Sequence, residues 1–169
     1  GDVYKRQVHG GSIKAIFTDS DDINMSIRAK ELIQKEEACL SKKNLIDKID
    51  LFSSSCKELK KKIIDFQKNK KSLAAYGCPA RFSTITNFGE ISKNDIPYVI
   101  DDSPLKQGRF SPGKHIPIQS FNEDKKVDIY IVFAYEYIDS IKKKLKNKNI
   151  KFYKPIPFQE IWGLKIKNK

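Results

Sequence analysis

The chain has 169 residues, a length suited to one domain with attached pieces, and 39% of them are apolar, enough for a modest core. Its net charge of +12 is carried almost wholly by lysine, because only Arg6, Arg28, Arg81 and Arg109 are arginines. Lysine runs such as Lys60–Lys62 and Lys142–Lys144 read as solvated helix faces, whereas nucleic-acid sites interleave arginine and aromatics on one face. A nucleic-acid partner is therefore not expected. No apolar run has the length of a membrane span and no signal-peptide pattern is visible, so no membrane partner is expected either. Cys39, Cys56 and Cys78 are odd in number and widely spaced, which points to reduced thiols in a cytoplasmic protein and away from a zinc site.

In chain order, residues 1–7 (GDVYKRQ) carry no structural pattern and read as a leader foreign to the domain. Val8–Phe17 alternates at Ile13, Ala15 and Phe17 after a glycine pair, a strand signal. The acidic run Asp19–Asp22 suits a helix start, and Met25–Glu37 has helical spacing. Leu45, Ile49, Phe52, Cys56, Leu59, Ile63 and Phe66 alternate four- and three-residue steps, which predicts a long amphipathic helix packed on a domain.

From Ser72 the period changes. Leu73–Gly77 reads as a buried strand and Pro79–Gly89 as a helix, with proline near its start and glycine at its end. Ile96–Asp101 and His115–Ile118 read as strands, and Val127–Ala134 as one buried on both faces. Tyr135–Lys148 reads as a helix and Lys151–Pro157 as a last strand. Such alternation predicts an α/β domain, a mostly parallel sheet with flanking helices.

The chemistry concentrates between Ala74 and Ile118. The chain leaves a strand at Gly77 and enters a helix within three residues, freeing backbone N–H groups for an anion; Arg81 and Thr84 are candidate phosphate contacts. Asp101 closes the next strand, where dinucleotide folds place a carboxylate against ribose hydroxyls. Only one fingerprint glycine is present, so a turn-making glycine and an anion cradle stay equally open. The loop SPLKQGRFSPGKHIPI sets Lys106, Arg109 and Lys114 among turn residues after a strand end, where parallel sheets bind ligands. His9 and His115 have the right chemistry for a general base, although a lone strand-edge histidine is more often structural. A nicotinamide-type oxidoreductase domain and a basic non-enzymatic binding module remain as alternatives on these residues.

VHGGSIKAIF, the long helix, YGCPARFSTITNFG, YVIDDSPLKQGRFSPGKHIPI and KFYKPIP, in that order, resemble the C-terminal part of the S-adenosylmethionine-dependent sugar-nucleotide C-methyltransferases. KQGRFSPGKHIPI is the most specific of these pieces. The resemblance implies a zinc-binding N-terminal domain, a central domain holding S-adenosylmethionine, and a Rossmann-like C-terminal domain. The nucleotide-sugar, a keto-deoxysugar carrier, would lie between the last two. Residues 8–18 would then be the last strand of the central domain, 19–71 the linking helices and 72–169 the C-terminal domain.

The same resemblance implies that the catalytic cluster, the methyl-donor motif and the zinc cysteines lie upstream of this chain. Alone the chain would be inactive, with His9 its single weak catalytic candidate. A homo-oligomer is possible for the longer protein. The substrate-binding residues implied are Tyr76, Gly77, Arg81, Thr84, Asp101, Lys106, Gln107, Arg109 and His115. One departure stands at the first turn, where the family more often has Lys-Gly and this chain has Arg81-Phe82. The charge is kept and the backbone has less room.

Overall fold

A computed structural model describes residues 3–6, 12–15, 25–122, 126–145 and 149–161, with the chain falling into two units, 1–50 and 51–169. In the first unit, β1 (Val3–Arg6) and β2 (Ser12–Ala15) form an antiparallel pair, with Val3 opposite Ala15 and Arg6 opposite Ser12. The opening residues carry no strand pattern in sequence, and here four of them form a strand. His9 and the run Asp19–Asp22 lie outside the described residues. Helix α1 (Ile27–Cys39) starts where Ser26 Oγ accepts a hydrogen bond from the Ala29 N–H at 3.2 Å, an N-cap of the ordinary kind.

Helix α2 (Lys42–Lys68) follows the three-and-four spacing, and only the later part of its seam is buried. Cys56, Leu59 and Ile63 are fully buried and Phe52 and Phe66 pack partly against the same core, whereas Leu45, Ile46 and Ile49 are exposed. Lys60 adds a polar anchor: its Nζ donates to Asp95 Oδ2 at 2.9 Å and to the Glu90 carbonyl at 2.6 Å. Ile63→Ala should cost about 2–4 kcal/mol by leaving a cavity, and Ile49→Ala well under about 1 kcal/mol; urea unfolding midpoints check both.

The second unit is built on β3 (Leu73–Tyr76), α3 (Ala80–Phe88), β4 (Val99–Ile100), β5 (Ile118–Gln119), β6 (Ile129–Val132), α4 (Ile138–Lys144), β7 (Lys151–Lys154) and β8 (Gln159–Glu160). The sheet order is β5-β4-β3-β6-β7-β8, parallel except for β8. This is the strand order of the doubly wound dinucleotide folds, so the expected α/β class holds. Every residue of β3 and β6 is buried, as near-continuous apolar strands require when both faces are covered.

The two-residue alternation of β3 divides the core. Leu73 and Ala75 face the layer of α2 and α3, with Leu59, Ile63, Phe82 and Ile131; Ala74 and Tyr76 face the layer of α4, with Ile141, Tyr130 and Phe152. Among the described residues no helix is long and apolar enough to cross a membrane.

The structure differs from the sequence reading at several points. The third strand begins at Ile118, because Gly113 and His115 take left-handed φ values of 84° and 50° and turn the chain first. The helix expected over 135–148 is a 3-10 turn (Tyr135–Tyr137) leading into α4, and residues 146–148 lie outside the described set. Lys151–Lys154 is not the last strand, since β8 folds back on it; Trp162 is outside the described residues. Gly89 ends α3 with φ −84°, so its role is not left-handed freedom. A Cβ there would meet the Cys56 carbonyl oxygen at 3.2 Å and that of Ile85 at 3.0 Å.

Candidate ligand cleft

From β3 the chain goes to β4 on one side and later returns to β6 on the other. The strand order reverses between β3 and β6, and open sheets of this type bind ligands outside the carboxyl ends of the strands at that point. A cleft of about 370 Å3 lies there, lined by Tyr76, Gly77, Pro79, Asp101, Asp102, Lys106, Ala134, Tyr137, Ser140 and Ile141.

Gly77 makes the crossing possible. Its φ is +83°, its N–H donates to the Ile100 carbonyl at 2.7 Å, and a Cβ would lie 2.4 Å from Ala134 Cβ and 2.9 Å from Ala134 N. Gly77 thus permits both the turn and the close approach of the two strand ends.

Asp101 is almost buried and its carboxylate is spent on the protein. Oδ2 accepts from the Cys78 N–H at 2.7 Å and Lys106 Nζ at 3.1 Å, and Oδ1 accepts from the Ser103 N–H at 3.0 Å. Burial pushes its pKa up, but the bonds from Ser103, Cys78 and Lys106 together hold it below the ordinary aspartate value. Lys106 Nζ also donates to the Cys78 carbonyl at 3.0 Å, and Gln107 Nε2 to the Asp101 carbonyl at 2.9 Å. The buried Cys78 thiol is raised to about 11, by burial first and Asp101 second, against an opposing pull from Lys106, so it is no nucleophile at neutral pH.

The carboxylate that faces the opening is Asp102. It accepts from Tyr76 Oη at 3.0 Å and from Lys144 Nζ at 2.6 Å, and its side chain is 58% exposed. Burial, then Asp102, raise the Tyr76 hydroxyl well above its ordinary pKa, so it stays protonated and positions Asp102 as a donor.

Of the expected site residues, Tyr76, Gly77, Asp101, Lys106 and Gln107 converge here. Arg81 stands in the first turn of α3, two residues beyond the cleft-lining Pro79, and pairs with Glu136. Thr84 Oγ1 donates to the Ala80 carbonyl at 3.2 Å within its own helix. Arg109 and His115 are exposed and are not among the residues that line the cleft. The Gly108 N–H donates to the Ile118 carbonyl, the Ile118 N–H donates to the Arg109 carbonyl, and Phe110 bridges Pro117 antiparallel. The loop therefore runs back along the outer edge of β5 to its amino end, where Asn87 Nδ2 donates to the Pro112 carbonyl. Of its basic residues Lys106 lines the cleft, and Arg109 and Lys114 are not among the lining residues. Sequence reasoning missed Asp102, Tyr137 and Ser140, although the Asp-Asp pair and the rule of strand carboxyl ends both point to them. Among the described residues no three His, Cys, Asp or Glu side chains converge to hold a metal ion.

The cleft thus carries two carboxylates, a lysine and three hydroxyl side chains at the switch point, the position where doubly wound α/β domains hold small molecules. Residues 7–157 match the family model for the C-methyltransferase C-terminal domain, and the chain belongs to that family. It is 27% identical over 169 residues to C-methyltransferase NovU of Streptomyces niveus, a match that covers 92% of this chain and 39% of that protein. The chain thus spans well under half the length of that relative. The resemblance carried by KQGRFSPGKHIPI is borne out at the level of the family.

Proposed function

We propose that this chain is the substrate-holding C-terminal part of an S-adenosylmethionine-dependent C-methyltransferase acting on a nucleotide-linked keto-deoxysugar. The observation that carries the proposal is the switch-point cleft, with Asp102 and Lys106 at its rim, in a chain of this family. Its volume is in the range of small-molecule sites, roughly 300–1,000 Å3.

In this reading Asp102 accepts hydrogen bonds from ligand hydroxyls, Tyr76 orients Asp102, and Tyr137 and Ser140 supply further hydroxyl contacts. Asp101, Lys106 and Gln107 hold the turn on which these groups stand. Positioning a sugar ketone beside a base is the service such a cleft renders to proton removal at the adjacent carbon. S-adenosylmethionine, when bound, supplies an electrophilic methyl group. Its site and that for zinc are assigned to the longer enzyme, as the resemblance implies. Asp101 already accepts three hydrogen bonds, so Asp102 is the more available of the two strand-end carboxylates. The single fingerprint glycine weighs against the nicotinamide-type alternative. The cysteines are unpaired, with Cys56 and Cys78 buried, which supports a reducing, cytoplasmic setting.

Calorimetric titration of a nucleotide-linked sugar into the chain tests the reading. Saturable binding is expected, weakened about tenfold by Asp102→Ala through loss of hydrogen bonds to a charged group, under conditions where circular dichroism shows the variant folded. No saturable binding to the unaltered chain, or equal affinity in the variant, would overturn it.

A further inference from the structure

Next in sequence to the cleft-lining Pro79 and Ala134 stands a cluster of charges. Arg81 Cζ lies 4.6 Å from the centroid of the Tyr135 ring, and Lys154 Nζ lies 4.5 Å from the same centroid. Two cations from separate elements, α3 and β7, thus share one aromatic ring, an arrangement that holds them in place against their mutual repulsion. Glu136 pairs with Arg81 through one contact, Oε1 to Nη2 at 2.5 Å, and both side chains are more than a third exposed. Among the described residues Lys154 has no carboxylate within ion-pair distance. The cluster therefore holds more positive than negative charge, and one contact leaves most of the guanidinium donors unused. No acidic residue stands in the first turn of α3 to offset it.

We propose that Arg81 and Lys154, bracketing Tyr135, form a diphosphate site, and that Glu136 is a resident carboxylate which the ligand displaces. A guanidinium fork matches two phosphate oxygens better than the single carboxylate oxygen it now holds. Lys154 then meets a second phosphate as a point charge. Pro79 and Ala134, which flank the cluster in sequence, also line the cleft. A diphosphate seated here leaves its organic part against Asp102. The exchange costs only an exposed ion pair, which is weak, so Glu136 tunes affinity without closing the site. The proposal rests on the reading above for the ligand being nucleotide-linked; the anion chemistry stands on the cluster alone.

The test is titration of inorganic diphosphate into the full chain at fixed ionic strength, read by calorimetry. Glu136→Gln should tighten binding about threefold to fivefold, the worth of an exposed ion pair. Arg81→Ala should weaken it about tenfold, and Arg81→Ala with Glu136→Gln should show no gain over Arg81→Ala alone. A gain of affinity is not produced by misfolding, so Glu136→Gln keeps the test decisive. Equal affinity in Glu136→Gln, or a gain that survives without Arg81, would overturn the site.

A nucleoside diphosphate should respond to Glu136→Gln as diphosphate does, and its parent nucleoside should not. If neither responds while Asp102→Ala still weakens nucleotide-sugar binding, this inference fails and the cleft reading stands. If diphosphate behaves as expected and no nucleotide-sugar binds, the anion site stands and the cleft reading fails.

Discussion

Gly77→Ala is expected to destabilise the chain by about 2–5 kcal/mol, the sum of a left-handed backbone penalty and an overpacked contact. The contact is the larger part, because the added Cβ would fall 2.4 Å from Ala134 Cβ and 2.9 Å from its backbone nitrogen, neither of which is a flexible tip. Gly108→Ala is the matched control. Gly108 has φ +76° and no heavy atom within 4 Å of the place a Cβ would take, so it isolates the backbone penalty, about 1–2 kcal/mol. Urea unfolding of the two variants separates the terms. Equal losses would show that the approach of β3 to β6 carries no strain. Ligand affinity should fall in Gly77→Ala and hold in Gly108→Ala, since only the first displaces a wall of the cleft.

Asp101→Asn is expected to cost about 2–3 kcal/mol at neutral pH, because one acceptor edge becomes a donor facing backbone N–H groups or Lys106. The pH dependence has a definite sign. Asp101 is held below its unfolded pKa in the native state, so its stabilisation is complete above about pH 4 and is lost as pH falls through the lower folded value. The difference between the parent chain and Asp101→Asn should therefore be constant near neutrality and shrink in acid. Asp95 and Asp128, also held low, keep a residual acid limb in the variant. A difference that grows in acid would contradict the assignment.

These two residues show how legible the site is in sequence. Gly77 is visible because a strand, a glycine and a helix start lie within a few residues, and the turn they form is local. Asp101 is visible as a strand-end carboxylate, whereas its hydrogen bond from the Cys78 N–H across the strand ends is not. That partner is set by which strands lie side by side, and nothing near Asp101 in sequence specifies it. Asp102, its neighbour, takes the outward direction because successive residues leaving a strand point to opposite sides.

The loop between β4 and β5 illustrates the same limit. Its composition shows turns and cations, and both are there. Its course is not legible, because hydrogen bonds of Gly108 and Ile118 lay residues 108–110 along β5, and the left-handed Gly113 and His115 turn the chain before that strand. The short β8 is equally hidden: two exposed residues carry no apolar alternation, and pairing with β7 alone makes them a strand.

By itself the sequence determined what periodicity and short-range chemistry encode. These are the long helix with its seam, the buried strands β3 and β6, the glycine turn between β3 and α3, and the motif that carries the family. Only the tertiary structure decided which carboxylate is buried in hydrogen bonds to the protein and which stays exposed, and which cations gather around Tyr135. The physical reason is that side-chain spacing acts through neighbours three or four residues away. The partners of Asp101, Asp102 and Arg81 come from strands and helices brought together only when the sheet assembles.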